Sequence, residues 1–188
     1  MPTPEWIDDL RRALDRQYGH GADAARVATL ATVDRSGAPR ARAVVCRRVD
    51  DEGKLYFVSD ARSGKNEQLR GDPRAEVVFW LPALHTQYRL AGEAHLTAFG
   101  QDEPLRRELW RGLSDPSRAL FYWPTPGIAV AVDETYPRAV SADVTPPANF
   151  EVLKVEPSQV ERLNISSFPH KRRRWRADAN WSGVDVNP

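Results

Sequence analysis

"LYFVSDARSGKNEQLRGDPRAEVVFWL", residues 55–81, joins two apolar runs through a polar loop and a short helical stretch. "LYFVS" (55–59) and "AEVVFWL" (75–81) are rich in β-branched and aromatic residues, the composition of strands. Between them, Ser63 precedes a helix-like segment that runs to Arg70 and stops at the "GDP" break, as an N-cap serine and a following proline dictate. The loop invites comparison with a nucleoside triphosphatase loop, but that pattern needs G-x-x-x-x-G-K-[ST], and here only Gly64-Lys65 survives, followed by Asn66. What remains is a serine, the N–H groups of a helix start, and the cations Arg62 and Lys65. That set suits a phosphate monoester. A solvated turn with a capping serine accounts for the same residues.

Working outward, "VATLATV" (27–33), the turn "DRSGAP", "RARAVVCRRV" (40–49) and the turn "DDEGK" lead into the first run. As one strand, 40–49 places Ala41, Ala43, Val45 and Val49 on one face and Arg40, Arg42, Val44, Cys46 and Arg48 on the other. Arginines interleaved with small apolar groups fit a wall for a flat anion, or an edge strand protected by charge. Downstream, "TQYRLAGEAHLTAF" (86–99) alternates, with Tyr88, Leu90, Ala94 and Leu96 opposite Gln87, Arg89, Glu93 and His95. Helices are expected at 5–18, from Trp6, Leu10, Leu14 and Tyr18 at steps of four, and at 103–113, from Leu105, Leu109 and Leu113. Six prolines between 114 and 147 predict an irregular covering segment. "NFEVLKVEP" (149–157), "VERLNI" (160–165), "HKRRRWRA" (170–177) and "WSGVDV" (181–186) read as four closing strands. The expected fold is mainly β with peripheral helices, a closed or nearly closed antiparallel barrel. One domain is expected over 1–188: an N-terminal helix (1–20), main barrel strands (26–100), a helix and covering segment (101–147) and C-terminal strands (148–188).

Other signals close off function classes. The net charge of +1 gives no global reason to bind nucleic acid, and "HKRRRW" (170–175) splits its cations between two strand faces. No apolar run reaches the roughly 20 residues of a membrane span, and the N-terminus lacks a signal-peptide layout, so a cytoplasmic protein is expected. The single cysteine, Cys46, excludes an internal disulfide. His85 and His95, ten residues apart on one expected strand, stand about 33 Å apart, too far to share a metal. "GHGADA" (19–24) matches a dinucleotide fingerprint in letters, yet follows a helix and precedes strands, so it reads as a loop. No G-x-S-x-G motif occurs.

The order of the pieces "RAVVCR" (42–47), "YFVSDARSGK" (56–65), "NEQLRGDPRAEVVFW" (66–80), "QYRLAG" (87–92) and "PHKRRRW" (169–175) resembles the pyridoxamine 5′-phosphate oxidase-like family of FMN-binding split barrels. The resemblance implies a split β-barrel that holds FMN and acts as an oxidoreductase on a small substrate, with its sites at a homodimer interface. It implies cofactor contacts from Arg42, Val44, Val45 and Arg47, from Val58 and Ser59, from the phosphate residues Ser63 and Lys65, and from Gln87 and Arg172. His170 and Arg118 are the expected substrate contacts, and no catalytic residue is assigned. The family's substrate-gripping Arg-x-His pair is here Phe168-Pro169-His170, without the arginine, and an ungapped count puts Arg162 where a flavin-side tryptophan stands. This points to an oxidase-related branch rather than the vitamin enzyme. The alternatives are a non-catalytic flavin or haem binder, with His170 as haem ligand, and a reductase driven by nicotinamide or deazaflavin.

Overall fold

The computed structural model describes residues 3–19, 25–130 and 135–188. Its strands are β1 (Arg26–Val33), β2 (Pro39–Cys46), β3 (Arg48–Val49), β4 (Leu55–Asp60), β5 (Arg74–Leu81), β6 (Thr86–Thr97), β7 (Phe150–Asn164), β8 (Lys171–Arg176) and β9 (Val184–Val186). All pair antiparallel in one sheet, in the order β2-β1-β5-β6-β7-β4-β3, with β8 and β9 continuing from the later half of β7. The sheet curls until β2 lies against β4, but no ladder joins them. The amide of Arg47 crosses to the carbonyl of Tyr56 at 2.7 Å. The rest of that seam is the split in the barrel.

Helix α1 (Glu5–Tyr18) plugs the barrel with the stripe Trp6, Ile7, Leu10, Ala13 and Leu14, packed among Leu30, Phe57, Phe79, Leu90 and Trp175. It docks over the turn at Gly53, where φ is +82° and a Cβ would stand 2.3 Å from the Trp6 ring. Only glycine fits that turn. Strand β4 is buried on both faces: Leu55 and Phe57 face the barrel core, while Tyr56 joins a second cluster with Leu109, Trp110, Phe121 and Phe150. That cluster lies under α3 (Glu103–Arg111) and α4 (Asp115–Ala119). Two-sided burial explains why residues 55–58 read as an unbroken apolar run.

Two expectations change. Where two strands are expected over 149–157 and 160–165, Phe150–Asn164 form one strand of 15 residues. Pro157 falls opposite Gly92, where the register shifts, and a Cβ at Gly92 would meet the Glu156 carbonyl at 2.0 Å. The bulge absorbs the proline, and the strand then exchanges β4 for β8 as its neighbour. The run 40–49, by contrast, breaks at Arg47 into β2 and β3, because the Arg47 amide crosses the seam. Of the loop 19–24, residues 20–24 lie outside the described residues.

Candidate functional site

The seam between β2 and β4 opens into a cavity of about 370 Å³. Val44 and Val45 of β2 and Val58 and Ser59 of β4 form its walls, Arg47 and Lys65 lie at its rim, and Leu120, Phe121, Trp123 and Pro126 close it from the covering segment. A largely apolar slot that also takes in Asp60 and Ser117, with cations on its border, is thus built from two strand ends, one helix start and one cover.

Among the described residues, none of the cations Arg42, Arg47 and Lys65 has a carboxylate in direct contact. Arg47 makes no side-chain hydrogen bond or ion pair among the described residues, and its Nε is buried without a partner. Burial lowers the pKa of this guanidinium from its ordinary value. Lys65 donates to Ser63 Oγ at 3.0 Å. Burial, and then the nearby positive charge of Arg42, lower the Lys65 pKa, with Asp60 opposing. Arg42 itself is turned toward β1 and the helix α2 (Gly64–Gly71), donating to Thr32 Oγ1 and Gln68 Oε1, each at 2.7 Å. It reaches the cavity as charge and not as a contact. Asp60 also lines the cavity, but its carboxylate is held by Arg62 and Asn149. Desolvated positive groups with no carboxylate in direct contact are costly unless an anion completes them. A ligand carrying a phosphate at one end and an apolar plane at the other meets that need.

The loop between β4 and α2 is held by a network that sequence reasoning did not find. Ser59 Oγ donates to Asn66 Oδ1, Asn66 Nδ2 donates to Glu151 Oε2 at 2.6 Å, and Arg70 Nη2 donates to both Glu151 oxygens at 2.6 and 2.8 Å. Ser59, Asn66 and Glu151 are all buried, so this polar chain fixes the start of α2 against β4 and β7. Ser63 caps that helix by position, but its hydroxyl donates to the Asp60 carbonyl at 2.7 Å while receiving Lys65. Only a partner such as Glu151, 85 residues from Asn66, reveals the network, and no local signal announces it.

Arg62, read as a phosphate ligand, works differently. It forms a two-pronged pair with Asp60 and donates from Nη2 to the Trp123 carbonyl at 3.0 Å. Asn149 Nδ2 bridges Asp60 Oδ2 (3.0 Å) and the Phe121 carbonyl (2.9 Å). Burial works to raise the Asp60 pKa, but the bonds from Arg62 and Asn149 outweigh it and hold the carboxyl below its usual value. The loop that borders the cavity therefore also latches its cover.

The remaining expected residues lie elsewhere. Gln87 sits on β6 with Trp80 on one side and Leu163 on the other, and Leu163 faces Arg172 of β8. This row crosses the outer face of the sheet, away from the cavity, and Arg172 Nη2 donates to Glu161 Oε2 at 2.6 Å. Leu163 stands opposite Arg172, and Arg162, on the other face, pairs with Asp9 of α1. A strand neighbour one residue away points to the opposite face. His170 is exposed in the turn before β8, with Nδ1 3.1 Å from the Ser167 carbonyl. Arg118 is not available to a substrate. It is 3% exposed and donates to the carbonyls of Val140, Trp110 and Leu113 and to Asp115, tying the covering segment together. Phe121 is buried against Trp110 and Phe150 yet borders the cavity, as Trp123 does.

Residues 3–98 match the family model described as pyridoxamine 5′-phosphate oxidase, FMN-binding domain. The chain belongs to this family. A pyridoxamine 5′-phosphate oxidase-related, FMN binding protein from Nostoc punctiforme has a similar structure, with a TM-score of 0.87 and 30% identity over 100% of both chains. Among curated proteins, a pyridoxine/pyridoxamine 5′-phosphate oxidase of Chromohalobacter salexigens is 41% identical over 73 residues, covering 39% of this chain and 34% of that protein. The chain thus spans about a third of that relative's length. A protein of the same name from Agrobacterium fabrum is 28% identical over 172 residues, covering 85% of this chain and 81% of its own. The family match ends at residue 98, just after β6, so it includes the seam strands and the 60–65 loop but not the covering segment or the β7–β8 hairpin.

Proposed function

We propose that this protein is an FMN-dependent oxidoreductase acting on a small substrate, with each flavin held between two copies of the chain. The observation that carries the reading is the pairing of a free Arg47 and a desolvated Lys65 with an apolar slot at the barrel seam. Arg47 and Lys65 would hold the cofactor phosphate, with Arg42 adding field behind them and Ser63 orienting the lysine. Val44, Val45 and Val58 would wall the ring and exclude water, and the cover of Phe121 and Trp123 would close over it. FMN, when bound, supplies two-electron chemistry that no side chain of this protein can provide.

Gln87 and Arg172 belong to the polar edge of the ring in this reading, and they lie outside the cavity of their own protomer. A second copy that presents its outer row, Trp80 to Arg172, would bring them to the slot, which is the support for a homodimer. The substrate end differs from the vitamin oxidases of the family: Phe168 and His170 stand on the hairpin turn, and Arg118 is fully engaged in structure. A substrate other than pyridoxine phosphate follows. Purified protein is expected to bind added FMN with a perturbed visible spectrum, and anaerobic pyridoxamine phosphate is expected to leave that flavin oxidised. Failure to bind FMN would remove the reading, and rapid bleaching by pyridoxamine phosphate would restore the vitamin activity. NADH, NADPH and reduced deazaflavin, tested in the same cuvette, separate a reductase from an oxidase.

A further inference from the structure

A second cavity, of about 430 Å³, opens where α1 crosses the ends of β6, β7 and β8. It shares no lining residue with the seam cavity. Arg12 and Arg16 border it from α1, Arg162 from β7 and Lys171 from β8, and Asp9 is the one carboxylate among its lining residues. Four cations against one carboxylate stand out in a chain whose whole net charge is +1, because the remainder must then be net negative. The concentration of charge is local and concave, the arrangement that focuses a field on a small anion.

The floor of this cavity is fixed and its rim is free. Tyr88, 1% exposed, donates its hydroxyl to Asp9 Oδ2 at 3.0 Å, and Arg162 donates Nη1 to the same oxygen. Asp9 is thereby occupied, and it lies 4.0 Å from Arg12, too far for a hydrogen bond. Asn164 is held by the Leu84 carbonyl and Thr86 Oγ1. Arg16 and Lys171 have no hydrogen-bond or ion-pair partner among the described residues, and both are exposed. Lys171 and Arg172 are adjacent on β8, so their side chains leave opposite faces of the sheet. The cavity is therefore separate from the outer row that includes Gln87 and Arg172.

We infer that this cavity is a second binding site, for a small organic dianion held by Arg12, Arg16 and Lys171 over a floor set by the Tyr88–Asp9–Arg162 contacts. A phosphate ester or a dicarboxylate supplies the two charges, and the apolar lining by Ala13 and Leu84 takes the carbon body. The inference does not rest on the flavin reading.

The test uses the full chain, with FMN in excess, titrated calorimetrically with glycerol 3-phosphate, with succinate, and with glycerol as the uncharged control. Saturable binding of either dianion, none of glycerol, and a loss of affinity of about tenfold or more in Arg16→Glu/Lys171→Glu are expected. The ester and the dicarboxylate arms show which headgroup is preferred. Both substituted residues are exposed, and an unchanged circular dichroism spectrum checks the fold. Arg16→Gln/Lys171→Gln is expected to give an intermediate loss. Lys65→Ala must retain the binding, which separates it from the seam site even if FMN itself does not bind. No saturable binding of either dianion, equal binding by the charge-reversed variant, or loss of binding in Lys65→Ala would overturn the inference.

Discussion

At the seam, Arg47 and Lys65 border a cavity with no ion pair of their own among the described residues, and Asp60, which also lines it, is held by Arg62; on the outer face of the sheet, Gln87 and Arg172 lie in an open row, with Arg172 already paired to Glu161. The first region has the electrostatics of an incomplete site, since neither cation is directly paired and the one carboxylate in the lining, Asp60, is engaged by Arg62. In the second, the cation already has its counterion. In the proposed dimer, one chain would supply the phosphate end and part of the ring wall, while its ring-edge residues would serve the slot of another copy.

The sharpest way to break this comparison is to remove the seam cations. Arg47→Ala with Lys65→Ala is expected to weaken FMN binding by about 3–5 kcal/mol, the loss of two hydrogen bonds to a charged group. Riboflavin, which lacks the phosphate, should bind both proteins alike in a fluorescence titration; equal losses for the two ligands would show that the cations hold no phosphate. Next in size is Glu151→Ala, which leaves the buried Asn66 amide unpaired and should cost about 1–3 kcal/mol of stability in urea unfolding. An unchanged midpoint would mean that the chain from Ser59 to Arg70 does not hold the start of α2.

Arg62→Ala distinguishes the cover from the phosphate contacts. It frees the Trp123 carbonyl and is expected to weaken FMN and riboflavin together by about 1 kcal/mol, since a latch on the cover acts on the ring. Weakening of FMN alone would return Arg62 to the phosphate. The smallest effect is a pH dependence. Burial lowers the Lys65 pKa, so FMN affinity should be full below that lowered value and fall as pH rises through it, earlier than an ordinary lysine would allow. In Lys65→Arg this early fall should vanish. An identical profile in both proteins would mean that Lys65 does not carry the dependence.

Much of this architecture was legible in the sequence because it is local. The stripe of α1, the strand runs and the capped helix after Ser63 each announce themselves within one or two turns of chain. The resemblance to the split barrels added the grouping of Val44, Arg47, Val58 and Lys65, which the fold brings to one cavity. What stayed hidden is long-range. Pro157 reads as a strand end until Gly92 is seen opposite it, and Arg62 reads as a phosphate ligand until the Trp123 carbonyl arrives 61 residues later. Arg118 looks like a substrate contact until the folded covering segment surrounds it with carbonyl oxygens. The pairing of Arg162 with Asp9, 153 residues away, is likewise invisible to any local reading.

The central claim is that each flavin site takes its phosphate end from one copy and its ring edge from another. Mixing two FMN-binding-deficient variants tests it most directly: Arg47→Ala/Lys65→Ala, lacking the phosphate end, and Gln87→Ala/Arg172→Ala, lacking the ring edge. After unfolding and refolding together, the account predicts recovered FMN binding, because the mixed pair contains one site with both ends intact. If the mixture binds no more FMN than the two variants refolded apart, both ends belong to the same chain, and the claim is contradicted.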